Sequence, residues 1–258
     1  MQLCLTATPD HLTQALRLTA HLAHAAYRVG SGGELLCRTL PATLRGGQLV
    51  LQCDCAFPAG AAERLAQDVL QVCIDRHFAG VVLDCTAELP CVHALISALA
   101  PLCLRYERQF YLPEHCAGTA ESAKVLICTA ISGGTLRQRL EEATAQYGAA
   151  RIALDLQRLM MDFPLPCPGG EGIALNAQQL QTLQSGHSSY YCSELCTHYF
   201  TYRRGSATRF VLYDDAGTLR RKMEIAEALG ITEAFVMWPE VDDILTQLFT
   251  DAKKEGEP

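Results

Sequence analysis

Two short stretches of the chain combine cysteine with histidine or aspartate, the side chains that bind zinc in proteins. They are Cys192-x-x-x-Cys196-x-His198 and Cys53-Asp54-Cys55. Neither has the Cys-x-x-Cys spacing of a structural zinc knuckle. In a strand, alternation would put Cys53 and Cys55 on one face, where free cysteine packs as a small hydrophobe. Core packing therefore explains both stretches better than a metal site, and we predict neither a metal nor a cofactor.

The composition and net charge of the chain indicate whether it can bind nucleic acid. The chain has 258 residues, a net charge of −7 and 49% hydrophobic residues. The densest basic spots, Arg203-Arg204 and Arg220-Arg221-Lys222, are too short to follow a phosphate backbone. We therefore expect no nucleic-acid partner.

The sequence also indicates a compartment. The first ten residues lack the basic region and apolar core of a secretory signal, and no apolar run reaches the roughly 20 residues of a membrane span. Thirteen cysteines are scattered through apolar segments, and their odd number argues against a complete disulfide set. We expect a cytoplasmic protein with reduced cysteines and no membrane span.

The elements that would position a site alternate between apolar runs and amphipathic segments, a pattern typical of βα units with a parallel sheet. The apolar run Gly80–Cys85 predicts a strand buried on both faces. Further strands are predicted at Gln2–Thr6, Gln48–Cys53, Gln109–Leu112, Lys124–Ile131, Arg151–Leu156 and Glu233–Trp238. Both a closed barrel and an open doubly wound sheet fit this order. Dinucleotide and P-loop motifs are absent from the sequence.

Other segments are less regular. Thr8 and Pro9 predict a helix start, with the helix running towards Tyr27. Asp162–Gly172, rich in proline and glycine, predicts a long connection. A hairpin is expected from His198–Tyr202 and Thr208–Tyr213 around Gly205. We predict one domain over residues 1–250 and a charged, disordered tail over 251–258.

Segments in the last third of the chain resemble those of a known protein family. The runs Tyr199–Tyr202 and Phe210–Asp215, a helix containing Lys222, and Phe235–Trp238 resemble the last two βα units of family 18 glycoside hydrolases. That family includes chitinase-like and spore-cortex-lytic barrels. The resemblance implies a single-domain α/β fold, a TIM-type (β/α)₈ barrel with a small hairpin insertion and an irregular or shortened strand.

A second segment, Phe78–Thr86, occupies the place of that family's D-x-x-D-x-D-x-E motif. Laid on the motif, Asp84 is retained, and Thr86 stands where the family has the Glu that protonates the glycosidic oxygen. The retained Asp orients the substrate acetamide in the family. Thr86 is too weak an acid to donate this proton near neutral pH. Glu88, two residues further on, is the candidate for a displaced acid.

The resemblance also implies a sugar site at the carboxyl mouth of the barrel. Trp238 is the candidate stacking residue, with core or rim packing as the alternative, and Tyr213 and Asp214 are candidate hydrogen-bonding residues. We expect a degenerate, non-hydrolytic barrel that binds a glycan or a protein partner at its mouth. The alternatives are an active glycosidase on N-acetylglucosamine-containing glycans, with Glu88 or an unaligned carboxylate as the acid, and a scaffold without a mouth ligand.

Overall fold

The computed structural model describes residues 1–167 and 169–250. The tail predicted over 251–258 lies outside the described residues. The strands are β1 (Gln2–Ala7), β2 (Leu22–Val29), β3 (Leu35–Cys37), β4 (Gln48–Gln52), β5 (Gly80–Asp84), β6 (Gln109–Pro113), β7 (Lys124–Cys128), β8 (Ile152–Asp155), β9 (Met160–Leu165), β10 (Ile173–Ala174), β11 (Tyr190–Cys192), β12 (Thr197–Arg204), β13 (Ala207–Tyr213) and β14 (Glu233–Met237). The helices are α1 (Leu12–Leu18), α2 (Ala62–Asp75), α3 (Pro90–Arg105), α4 (Leu136–Tyr147), α5 (Ala177–Gln184), α6 (Ala216–Glu227), α7 (Trp238–Val241) and α8 (Leu245–Thr250).

Eight of these strands form a closed parallel barrel in the order β1-β2-β4-β5-β6-β7-β8-β14, and β14 pairs with β1 to close it. The short strand β3 adds to β2 in antiparallel orientation. The predicted single-domain (β/α)₈ barrel is thereby confirmed, and the open-sheet alternative is excluded. The predicted strand at Gly80–Cys85 lies between β4 and β6, with its first four residues buried.

The predicted helix from Pro9 to Tyr27 is wrong beyond Leu18. The extended backbone of Thr19, with φ −150° and ψ 152°, ends α1, and Leu22–Val29 then forms the second barrel strand. The alanines of this segment have high helix propensity. Every residue of β2 except Arg28 is nevertheless buried, because the strand lies between β1 and β4. Tertiary burial therefore outweighed local propensity.

A second, antiparallel sheet is inserted between β8 and α6, in the order β10-β9-β13-β12-β11. Its hairpin β12–β13 confirms the predicted hairpin around Gly205. The predicted connection at Asp162–Gly172 is wrong at its start, because β9 continues to Leu165 and pairs with β13. Asp162 is buried in this sheet and is bonded to Arg209 and Tyr202.

The apolar side chains form two main layers. Inside the barrel, side chains pack in one small cluster comprising Cys4, Ala23, Ala25, Val50, Val82, Tyr111, Ala153 and Phe235. The residues next to them in the strands face outward and pack against the helices in a larger cluster. At the amino-terminal ends of the strands, Lys124 pairs with Glu233 at 2.7 Å, and Tyr111 also bonds Glu233. This leaves the carboxyl ends as the open mouth, where barrel enzymes carry their sites.

No helix among the described residues is long and apolar enough to cross a membrane.

Candidate functional site

The mouth is formed by inward-facing side chains at the carboxyl ends of the barrel strands. Val82 lies in the interior cluster, so Asp84, two residues on, has its side chain on the same side of β5. The strand register places Gln52 beside Asp84 and Cys128 beside Asp155. Ala153 also lies in the interior cluster, so Asp155, two residues on, faces the inside of the barrel as Asp84 does, and the two charges interact.

Asp84 is half-buried in this mouth. Gln52 Nε2 donates to its Oδ2 at 3.5 Å. Burial raises the pKa of Asp84, the Gln52 hydrogen bond opposes this, and the negative charge of Asp54 adds to the increase. The sequence prediction that Asp84 lies at the carboxyl end of a barrel strand agrees with this position.

Asp155, at the end of β8, is the functional candidate that sequence reasoning missed. Burial raises its pKa from 3.8 to about 6, and the charge of Asp84 contributes to the increase. The signal was present in the sequence: both Asp84 and Asp155 end an apolar strand, Gly-Val-Val-Leu-Asp in one case and Ile-Ala-Leu-Asp in the other. A carboxyl group that titrates near pH 6 can donate a proton close to neutrality.

The charge of a third acid, Glu240 in α7, interacts with that of Asp155, and we call Asp84, Asp155 and Glu240 together the acidic mouth. Burial raises the pKa of Glu240, and the charge of Asp155 also raises it. The segment after β8 holds Glu240 in place: the backbone N–H of Arg158 donates to Glu240 Oε2 at 3.1 Å, and Arg158 Nη1 donates to the Glu240 carbonyl at 3.1 Å. The guanidinium of Arg158 also pairs with Asp243.

The predicted binding residue Asp214 lies behind this network. Its carboxylate is fully buried and accepts from Lys222 Nζ at 2.7 Å, from Thr218 Oγ1 at 3.0 Å and from the Leu159 N–H at 3.0 Å. Lys222 also donates to the carbonyl of Thr129, just beyond β7, so the pair joins α6 to the barrel. A ligand would reach Asp214 only after these bonds broke, and its role in binding stays a prediction.

Tyr213 and Trp238 are also mostly enclosed. The Tyr213 hydroxyl accepts from Gln184 Nε2 at 2.8 Å, and its ring stacks on His198. Trp238 is 7% exposed and stacks on His11, with ring centroids 5.3 Å apart. These contacts agree with the alternative that Trp238 serves in packing. Its stacking on a sugar stays a prediction.

Thr86 and Glu88 lie in the exposed loop after β5. The charge of Glu88 acts on the Cys116 thiol, whereas the charges that perturb Asp84 come from Asp54. Cys116 packs in the layer outside the barrel, whereas Asp84 faces its inside. Its role as a displaced acid stays a prediction.

Two cavities lie near the ends of the barrel. One of about 360 Å³ opens at the carboxyl ends of β2 and β4, where Arg28, Glu34, Gln52 and Asp54 line it. A larger one, of about 890 Å³, lies at the opposite end and is lined by Gln2, His21 and Glu227 among others. The smaller cavity is the relevant one, because Gln52 connects it to Asp84.

The fold and site define a class: a (β/α)₈ barrel with a small antiparallel insertion and carboxylates at its mouth. The chain matches no family model and no curated protein. Among solved structures, its fold is similar to a chitinase from Chromobacterium violaceum, with 14% identity, 99% of each chain covered and a TM-score of 0.70. It is also similar to the spore cortex-lytic enzyme SleL of Bacillus cereus, with 14% identity, a TM-score of 0.66, and 96% of this chain and 74% of that one covered. Human YKL-39, described as a pseudo-chitinase with retained chitooligosaccharide binding, matches at 9% identity, 98% of each chain and a TM-score of 0.65.

Proposed function

We propose that this barrel binds a glycan containing N-acetylated amino sugars at its carboxyl mouth, and that it does not hydrolyse the glycan by the family 18 route. The observation that carries the proposal is the position of Asp84, inward-facing and half-buried beside Gln52. A carboxylate and an amide in one cleft can accept from an acetamide N–H and donate to its carbonyl. The chitooligosaccharide binding retained by the pseudo-chitinase of similar fold is consistent with this function.

The absence of the family acid supports the non-hydrolytic part of the proposal. The position of the expected Glu is held by Thr86, which lies exposed in the loop. General acid catalysis supplies about 10²–10⁴-fold in rate, and a threonine hydroxyl cannot supply it.

Calorimetric titration with the N-acetylglucosamine tetramer tests the binding function. We expect saturable binding by the wild type and a loss of affinity of at least about tenfold in Asp84→Asn, because the neutral amide oxygen is a weaker acceptor than the charged carboxylate. The matched control is Asp68→Asn, which removes an exposed carboxylate from α2. Absence of binding by the wild type at millimolar sugar would refute the proposal and favour the scaffold alternative.

A second candidate function is hydrolysis with Asp155 as the acid, and it is favoured by one observation. The pKa of Asp155 is raised to about 6, mainly by burial, so the carboxyl is partly protonated near neutral pH. Paired carboxyl groups are the usual acid and base or nucleophile of glycosidases. The charges of Asp155 and Asp84 interact, so the two carboxyl groups form a candidate pair.

Product analysis after prolonged incubation with the tetramer separates the two functions. Under the leading proposal, wild type and Glu88→Gln release no shorter oligomers. Release that is abolished by Asp155→Asn but not by Glu88→Gln would establish the second candidate. Loss in Glu88→Gln alone would instead identify Glu88 as the displaced acid. Thr86→Glu tests whether only the acid is missing from the leading site.

We also propose that the protein works in a reducing compartment. All thirteen cysteines are unpaired, and eight of them are buried. Free buried thiols are typical of proteins that fold where disulfides do not form.

A further inference from the structure

A second cluster of reactive side chains lies outside the mouth, where β5 and β6 end. Cys85 Sγ is 3.8 Å from His115 Nε2 and 3.9 Å from Cys116 Sγ. The three donor atoms all lie within 4.8 Å of one another. Within the part of the chain that the structure describes, this is the one such group of metal-ligating side chains.

Two neighbouring barrel strands hold the cluster. Cys85 directly follows β5, and because Asp84 faces the mouth, Cys85 faces the helical layer. His115 and Cys116 belong to a 3₁₀ helix, Glu114–Thr119, that begins where β6 ends. Since β5 and β6 are paired in parallel, their ends meet at one edge of the barrel. The donors are therefore fixed by rigid elements, on the side of the wall away from the acidic mouth.

Two of the three separations are close to those of a tetrahedral ion. Zinc binds thiolate sulfur at about 2.3 Å and imidazole nitrogen at about 2.0–2.1 Å, which places neighbouring ligand atoms of a tetrahedron roughly 3.5–3.8 Å apart. The observed 3.8 and 3.9 Å are close to these edges. An ion at the centre would need shifts of a few tenths of an ångström along these two edges. His115 Nε2 and Cys116 Sγ, which lie within 4.8 Å of each other, would have to approach to a similar edge, which a rotation of the exposed His115 side chain can provide.

A tetrahedral ion has four ligands, and Cys85, His115 and Cys116 supply three of them. Because His115 is exposed, a solvent molecule can supply the fourth.

The side chains of the cluster differ in their exposure to solvent. Cys85 and Cys116 are 4% and 0% exposed, whereas His115 is exposed. An ion can therefore enter from solvent and meet two enclosed sulfurs. Thiolate and imidazole donors favour zinc over magnesium or calcium. We propose that Cys85, His115 and Cys116 bind one zinc-class divalent ion, with a solvent molecule as the fourth ligand.

The full-length reduced protein tests this site with two metals. Zinc is titrated against a chromophoric chelator to obtain stoichiometry and affinity, and cobalt(II) reports the geometry. We expect one zinc per chain, and a cobalt spectrum with strong visible bands of a tetrahedral site and thiolate-to-cobalt charge transfer in the near ultraviolet. Weak octahedral cobalt bands, or no saturable zinc binding, would overturn the proposal.

Variants assign the ligands. His115→Ala, at an exposed position that is unimportant for packing, should weaken zinc binding by at least about 100-fold, as should Cys116→Ser. The matched control, Cys192→Ser, should leave binding unchanged. Unchanged affinity in His115→Ala would overturn the site even if the cysteine variants failed to fold.

One further result would also be decisive. Mass analysis of alkylated protein would show whether Cys85 and Cys116 instead form a disulfide. A protein that binds no zinc when reduced and forms this disulfide in air would have a redox pair here instead of the proposed metal site.

Discussion

Replacing Asp155 by asparagine is expected to stabilise the protein, and to do so only where the carboxylate would be charged. Burial raises the pKa of Asp155 from 3.8 to about 6. A carboxyl with a raised folded-state pKa contributes stability that is present below pH 3.8 and is lost as the pH rises through 6. Asparagine has nearly the same shape and carries no charge at any of these pH values.

The magnitude follows from the two pKa values. The difference between 3.8 and about 6 corresponds to about 3 kcal/mol of stability lost above pH 7. At pH 4.5 the same linkage leaves a loss of only about 1 kcal/mol. Asp155→Asn should therefore exceed the wild type in free energy of unfolding by about 3 kcal/mol at pH 8 and by about 1 kcal/mol at pH 4.5.

Urea denaturation at the two pH values measures this difference, with Asp68→Asn as the exposed control that should show no pH-dependent gain. Because burial is the first cause of the raised pKa and Asp84 the second, Asp84→Asn should remove only the smaller part of the gain. A gain for Asp155→Asn that is equal at both pH values would contradict this expectation, since it would mean that burial does not raise the pKa of Asp155.

Three other predictions concern the frame around the site. A thiol reagent should modify exposed Cys37 rapidly and the eight buried cysteines only after denaturation, when the count reaches thirteen; more than five rapidly reacting thiols would contradict the packing. Lys222→Met should lower the free energy of unfolding by about 3–5 kcal/mol, because Asp214 is left buried and unpaired, whereas Arg221→Met on the same helix should change little in urea denaturation. Trp238→Ala should cost about 3–5 kcal/mol by the same measurement. The binding role of Trp238 requires in addition that Trp238→Phe, which retains the packing, weakens binding of the N-acetylglucosamine tetramer.

The barrel could be predicted from the sequence because its buried strands are short and apolar and are separated by amphipathic helices. Gly80–Asp84 shows this most clearly. The second barrel strand could not be predicted, since the alanines of Leu22–Val29 favour a helix until neighbouring strands bury them. The strand β9 could not be predicted, because it contains the charged residue Asp162. The residue that neutralises this charge, Arg209, is 47 residues away in sequence.

The mouth was predictable only in part. Asp84 could be placed because it ends an apolar strand, and the same pattern would have found Asp155. The raised pKa of Asp155 depends on burial and on the charge of Asp84, which is 71 positions away in sequence. No local sequence pattern could therefore predict it. The Cys85 and His115 cluster could not be foreseen for the same reason: its donors are 30 residues apart and meet only because β5 and β6 are neighbours.

The proposed glycan site is best tested by a crystal structure of the protein with the N-acetylglucosamine tetramer. We expect sugar density at the carboxyl mouth, with an acetamide N–H donating to the Asp84 carboxylate at about 2.9 Å. Sugar bound at the opposite end of the barrel, beside His21 and Glu227, or a mouth left empty at saturating sugar, would contradict it.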